Sequence, residues 1–186
     1  MATTRRVVLI GPESTGKTTL AAELAAAFHA PWTPESARLI AETSPEPLSA
    51  ATIEPIARRC IALEDEALAS DPPLLIRDTD LVSTAVYAHH YYQNCPAWID
   101  AEAQARLGDL YLLCSPDLPW TADGIRDRRD SRGSLFADFQ RALVRRGART
   151  VEIRGIGAAR RAAAIAAVEA MLTAPGDGPT PPTAPR

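Results

Sequence analysis

The chain has 186 residues, 46% of them hydrophobic, and a net charge of −3, which suits one domain with a sizeable core. Its 20 basic residues are offset by 23 acidic ones, so the charge balance argues against a nucleic-acid partner. No run approaches membrane-spanning length and no signal-peptide apolar region follows Met1, which excludes the membrane and secreted classes and leaves a cytoplasmic expectation.

Residues 5–10 predict the first strand, because Val7-Val8-Leu9-Ile10 is apolar throughout and suits a strand buried on both faces. Gly11-Pro12-Glu13-Ser14-Thr15-Gly16-Lys17-Thr18-Thr19 follows, and residues 16–30 read as a helix. The spacing Gly11-x4-Gly16-Lys17-Thr18 between a strand and a helix is a P-loop. Lys17 is also the only lysine in the chain; every other cation is arginine. A compact ammonium on a flexible stem curls over a phosphate chain where a planar guanidinium fits poorly. In such a loop the backbone N–H groups of residues 12–17 cradle the β-phosphate at the positive end of the helix. Lys17 then reaches the β- and γ-phosphates of ATP, and the Thr18 hydroxyl ligates Mg²⁺. The competing explanation is a glycine-containing turn before an ordinary helix.

Pro31-Trp32-Thr33-Pro34 is a short extended piece, kept out of helix by its prolines. Glu35 to Ala41 predicts a turn or two of helix, and Thr43 to Leu48 a loop. Ser49 opens a long helix to about Ser70, with Ile53, Ile56, Ala57, Cys60, Ile61 and Leu68 on its apolar side. Leu74-Leu75-Ile76 is a buried strand ending at Asp78. Helices follow over about Leu81 to Tyr92 and Ile99 to Leu107, then a strand over Leu110 to Cys114. Pro116 to Arg132 is an Arg- and Asp-rich loop. Ser134 to Arg146 is a helix ended by Gly147, Thr150 to Ile153 the last strand, and Ala158 to Leu172 the last helix. Residues 174–186 hold five prolines and two glycines, which predicts a disordered tail beyond a 1–173 domain. Cys60, Cys95 and Cys114, with no CxxC spacing, read as reduced thiols.

Strands alternating with helices predict a three-layer α/β sandwich, a mainly parallel five-stranded sheet with helices on both faces. Ligands in such folds sit outside the carboxyl ends of the strands, so Gly11, Asp78 and Ser115 should meet at one edge. Asp78 and Asp80, after the Leu74 strand, suit Mg²⁺ or substrate hydroxyls; both also precede a helix, where they can simply cap it. Glu35 can accept the proton of an attacking hydroxyl, with Arg38 one turn on to orient it or bind phosphate. The same pair can be an i,i+3 surface ion pair. Arg126, Arg128, Arg129 and Arg132 suit a lid that neutralises developing charge and excludes water, or a solvated loop. Tyr87, His89, His90, Tyr91 and Tyr92 crowd one helix end, and Trp32 and Trp120 flank other loops. Such rings stack on a heteroaromatic base or pack in a core.

The chain resembles the ribosylnicotinamide kinase domain of the NadR-type family, within the P-loop nucleoside kinases. The resemblance rests on the Gly11–Thr19 loop, on Pro34-Glu35-Ser36-Ala37-Arg38, on Asp78-Thr79-Asp80 with Thr84 and Tyr87, and on Asp117-Leu118-Pro119-Trp120-Thr121-Ala122-Asp123-Gly124-Ile125-Arg126-Asp127. It covers residues 5 to 155 in the family's order. It implies ATP- and Mg²⁺-dependent phosphorylation of the 5′-hydroxyl of nicotinamide riboside. The implied catalytic residues are Lys17, Glu35, Asp78 and Arg126. Gly11, Glu13, Ser14, Thr15, Gly16, Lys17, Thr18, Thr19 and Arg128 would hold the ATP phosphates, with Thr18 and Asp78 on the metal. Glu35, Arg38, Asp78, Asp80, Tyr87, Trp120 and Asp123 would bind the substrate. Family members place an aromatic next to the Glu-x-x-Arg element, whereas here Trp32 is displaced and Pro34 precedes Glu35. The adenylyltransferase and DNA-binding segments fused to this kinase elsewhere have no room in 186 residues, so a standalone kinase without nucleic-acid or membrane partners is expected. The alternatives are a kinase for another nucleoside or small hydroxyl substrate, and an AAA-like ATPase acting as a nucleotide switch.

Overall fold

Every strand finds a parallel neighbour in the computed structural model, which describes residues 3–44, 46–118 and 132–174. The strands are β1 (Arg5–Ile10), β2 (Trp32–Thr33), β3 (Leu74–Asp78), β4 (Leu110–Cys114) and β5 (Thr150–Ile153), in the order β2-β3-β1-β4-β5. β1 runs down the centre, pairing Arg5 with Leu74 on one side and Val7 with Leu110 on the other. The predicted five-stranded α/β sheet is therefore present, and it is parallel at every pairing.

The helices are α1 (Lys17–Phe28), α2 (Ser36–Thr43), α3 (Ile53–Leu68), α4 (Leu81–Tyr92), α5 (Ala97–Ala105), α6 (Arg132–Arg145) and α7 (Gly157–Thr173). Alternation of strand side chains divides the core between two helical layers. Val8, Ile10, Tyr111 and Leu113 pack with residues of α3 to α6. Val7, Leu9, Leu112 and Cys114 pack with Leu20, Leu24, Ala164 and Val168 of α1 and α7. All four residues Val7 to Ile10 are fully buried, as their uninterrupted apolar run requires.

Two of the boundaries that differ from expectation have a local cause. The helix predicted from Ser49 begins as a 3-10 turn, Ala50–Thr52, before α3. There Thr52 Oγ accepts the Ser49 N–H at 3.0 Å, tightening the first turn. α5 starts at Ala97 instead of Ile99, because Pro96 serves as its N-cap residue and needs no N–H partner of its own.

The strand order changes direction at β1: β3 lies on one side of it and β4 on the other. That is the topological switch point where ligands bind in open parallel sheets. Three loops meet there, after Ile10, after Asp78 and after Cys114.

Candidate active site

The loop after β1 is shaped by backbone that few residues can adopt. Gly11 has φ +140°, and a Cβ on it would lie 2.7 Å from the Cys114 carbonyl oxygen of β4. No side chain fits that approach. Ser14 and Gly16 also take left-handed conformations, at φ +54° and +74°. Left-handed residues interspersed in a turn aim successive N–H groups inward, the geometry of an anion nest. Thr15 Oγ donates to the Pro12 carbonyl at 2.8 Å, and Lys17 Nζ donates to the same oxygen at 2.8 Å. The ammonium is thus folded back over the mouth of its own loop, and must swing off Pro12 to take a phosphate.

Thr18, exposed at the start of α1, donates its hydroxyl to Asp78 Oδ2 at 2.5 Å. Asp78 ends β3 and is 1% exposed, and its second oxygen, Oδ1, is buried without a hydrogen-bond partner among the described residues. Burial first, then the nearby Glu35 carboxylate, pushes the Asp78 carboxyl up to about 6. Lys17, the Thr18 hydroxyl and Arg38 pull the other way. Lys17, Thr18, Glu35, Arg38 and Asp78 therefore share one electrostatic neighbourhood, although they come from three separate loops. The Thr18 hydroxyl and the Asp78 carboxylate, one oxygen of which is unsatisfied, are hard oxygen donors that fit Mg²⁺. Such an ion would relieve both the orphaned Oδ1 and the unfavourable Asp78 charge.

Other expected residues are placed differently. The Glu13 side chain points to α4, accepting from the Tyr87 hydroxyl at 3.2 Å and the Tyr91 hydroxyl at 3.1 Å. Only its backbone remains for phosphate. Tyr87 is 4% exposed, stacked on Tyr91 at 5.8 Å and edge-on to Phe139 at 5.7 Å. In the nucleotide-free chain Tyr87 is therefore a packed core residue, with its hydroxyl held by Glu13. Asp80 is engaged within the fold as well. Its Oδ1 accepts from the N–H groups of Val82 and Ser83, capping α4, and its Oδ2 accepts the Tyr111 hydroxyl at 2.6 Å. Burial pushes its carboxyl up, opposed by Arg77 and the Tyr111 hydroxyl. Arg77, itself 1% exposed, is ion-paired to the fully buried Glu64, which also meets Arg6 and Arg106. This buried network underlies the turn at Thr79, whose φ of +71° is strained for a β-branched residue. Trp32 lies on the edge strand. Trp120, Asp123, Arg126 and Arg128 lie outside the described residues, as does the tail beyond Ala174.

Two arginines enter the site that were not expected as contacts to the loop. Arg132 donates to the Ser14 carbonyl at 3.3 Å and to that of Leu118 at 3.2 Å. Arg160, on the first turn of α7 and 4% exposed, donates to Thr15 O at 2.9 Å, Gly155 O at 3.0 Å and Asp117 at 2.9 Å. Its one sequence signal is a charge on the stripe continued by Ala164, Val168 and Met171, which are all buried. Arg160→Met keeps the bulk but strips these charge-assisted bonds, worth about 1.5–3 kcal/mol each. ATP affinity in a nucleotide titration should fall about tenfold or more. An unchanged affinity with lower thermal stability would reduce Arg160 to α7 packing. Beside it, a cavity of about 170 Å³ opens between Gly16, Thr19, Leu118, Gly157 and Arg161.

An AAA domain family matches residues 6–160, most of the chain. The chain belongs to that AAA domain family. Its fold is also that of two solved NadR structures. One, described as NadR protein in complex with NR, has a TM-score of 0.73 at 23% identity. The other, in complex with NAD and AMP-PNP, has a TM-score of 0.74 at 23% identity. Each comparison covers 90% of this chain and 49% of the NadR chain, so this chain spans about half the length of those proteins. Thymidylate kinase from Ehrlichia chaffeensis superposes with a TM-score of 0.61 at 13% identity, over 91% of this chain and 99% of that one. No curated protein matches. Among the described residues no helix is long and apolar enough to cross a membrane.

Proposed function

We propose that this chain is an ATP-dependent small-molecule kinase that phosphorylates the 5′-hydroxyl of nicotinamide riboside. The observation that carries the reading is the Thr18–Asp78 pair with its orphaned Oδ1, set beside Lys17 and Glu35. Simple nucleotide binding needs the loop alone. A second carboxylate next to the metal-binding one is what an acceptor hydroxyl requires. The NadR structures add support, since one is described with NR and the other with AMP-PNP.

In this reading the loop amides and Lys17 hold the triphosphate, and the cavity between Gly16 and Gly157 takes the adenine edge. Thr18 and Asp78 hold Mg²⁺, which when bound neutralises charge on the phosphates. Glu35, half-buried at the start of α2, receives the proton as the 5′-oxygen bonds to the γ-phosphorus and the bond to ADP breaks. Arg38 orients Glu35 or the incoming phosphate, and Arg126 and Arg128 act from the lid, with Trp120 and Asp123 at the riboside. The free thiols Cys60, Cys95 and Cys114 fit a reducing, cytoplasmic setting.

The test is ADP release from ATP and Mg²⁺ with a panel of ribosides. Nicotinamide riboside should stimulate it, and Glu35→Gln should lower kcat by about a hundredfold or more with little change in ATP binding. Transfer to another riboside alone would keep the kinase and overturn the substrate. Release independent of any acceptor would favour a nucleotide switch, the reading that the AAA domain match also allows.

A further inference from the structure

A second cavity, about 470 Å³, lies between α4 and α6, away from the phosphate loop. Its volume falls in the usual range of small-molecule sites, about 300–1,000 Å³. The walls carry His89 and His90 from α4, and Asp138, Arg141, Arg145 and Arg146 from α6 and the residue after it. Three guanidiniums face one carboxylate, on a protein whose net charge is −3. Arg141 pairs with Asp138, which also takes His90 Nδ1 at 2.6 Å. Arg145 has no ion-pair partner among the described residues, and it stands one turn from Arg141, where like charges repel.

A helix C-terminus favours cations, which accounts for arginines at the end of α6. It does not account for the state of Arg146. That side chain is only 10% exposed and pairs with Asp100 of α5, yet its Nε is buried without a hydrogen-bond partner among the described residues. Its terminal nitrogens donate to Asp100 and to the Ala142 carbonyl, so Nε alone is unfilled; an oxyanion is the ligand that satisfies such an N–H and two neighbouring guanidinium forks together.

We propose that the α4–α6 cavity is a second anion site, which binds a phosphate-bearing metabolite of mononucleotide size through Arg141, Arg145 and Arg146. The inference is independent of the kinase reading. The cavity is joined to the phosphate loop only indirectly: the His90 ring packs edge-on to Tyr91 at 4.8 Å, and Tyr91 donates to Glu13.

The test uses the full chain saturated with AMP-PNP and Mg²⁺, so that the phosphate loop is filled. It is titrated with AMP, and separately with inorganic phosphate, while backbone amide shifts are followed. Saturable shifts at His90, Gln93, Asp138 and Arg146 are expected with AMP, and weaker binding with phosphate. Arg141→Gln/Arg145→Gln replaces two exposed side chains that the fold does not need, and should weaken AMP about tenfold or more. Arg146→Gln should do the same. Shifts confined to other regions, or no saturation, would overturn the site. Groove shifts unchanged in the double variant would overturn recognition through charge, and equal affinity for phosphate and AMP would overturn the mononucleotide-sized ligand.

Discussion

Lys17→Ala should lower phosphoryl transfer by about a thousandfold while leaving the fold in place. The magnitude follows from removing one preorganised cation from the developing γ-phosphate charge. The fold survives because Nζ makes one hydrogen bond among the described residues, to the Pro12 carbonyl, worth about 1 kcal/mol net. Lys17→Arg should not rescue. The residue is 7% exposed under its own loop, and a planar fork cannot follow the path a compact ammonium takes. Steady-state ADP release, with urea denaturation of both variants, separates the two effects. A fully active Lys17→Ala protein would refute phosphoryl transfer at this loop altogether.

The elements were legible because local pattern and burial agree. Val7 to Ile10, Leu74 to Ile76 and Leu110 to Cys114 are apolar runs that only a two-sided sheet can bury, and each run is buried within its strand. The loop was legible for a different reason. Gly11 and Gly16 are demanded by backbone conformation within a few residues of sequence. Asp80 was legible only as an ambiguity, since capping and substrate binding ask for the same residue in the same place. Its second partner, Tyr111, lies 31 positions away and looked like one more apolar strand residue. The buried ions were not legible. Arg77 sits inside an apolar strand and meets Glu64 on α3, and Arg160 reaches back 145 positions to Thr15. A charge is tolerated in such a place because of its partner, and the partner lies at a distance that local periodicity does not carry. The burial of Tyr87 has the same origin: Phe139, which packs edge-on to it, reaches it only after α4 packs on α6.

Asp78→Asn should make the nucleotide-free protein more stable while disabling it. Burial and the Glu35 charge raise the Asp78 carboxyl from an ordinary 3.8 to about 6. Between these values the folded chain holds a proton that the unfolded chain has released. Stability from the neutral acid is therefore complete below about pH 4 and is lost as the pH rises through about 6. At 1.36 kcal/mol per pH unit the loss is about 2–3 kcal/mol by pH 7. Asparagine is neutral throughout, and its side-chain oxygen still accepts from Thr18. Urea denaturation at pH 7 should thus favour the variant by about 2–3 kcal/mol, with the gain vanishing near pH 4. Added Mg²⁺ and ATP should reverse the order, because the charged carboxylate is then compensated and the amide is not. Transfer should drop by about a hundredfold or more. A variant no more stable than the parent at pH 7 would mean that Lys17 and Arg38 already compensate the charge. The cost of holding Asp78 ionised would then not be the reservoir that metal and nucleotide binding draw down.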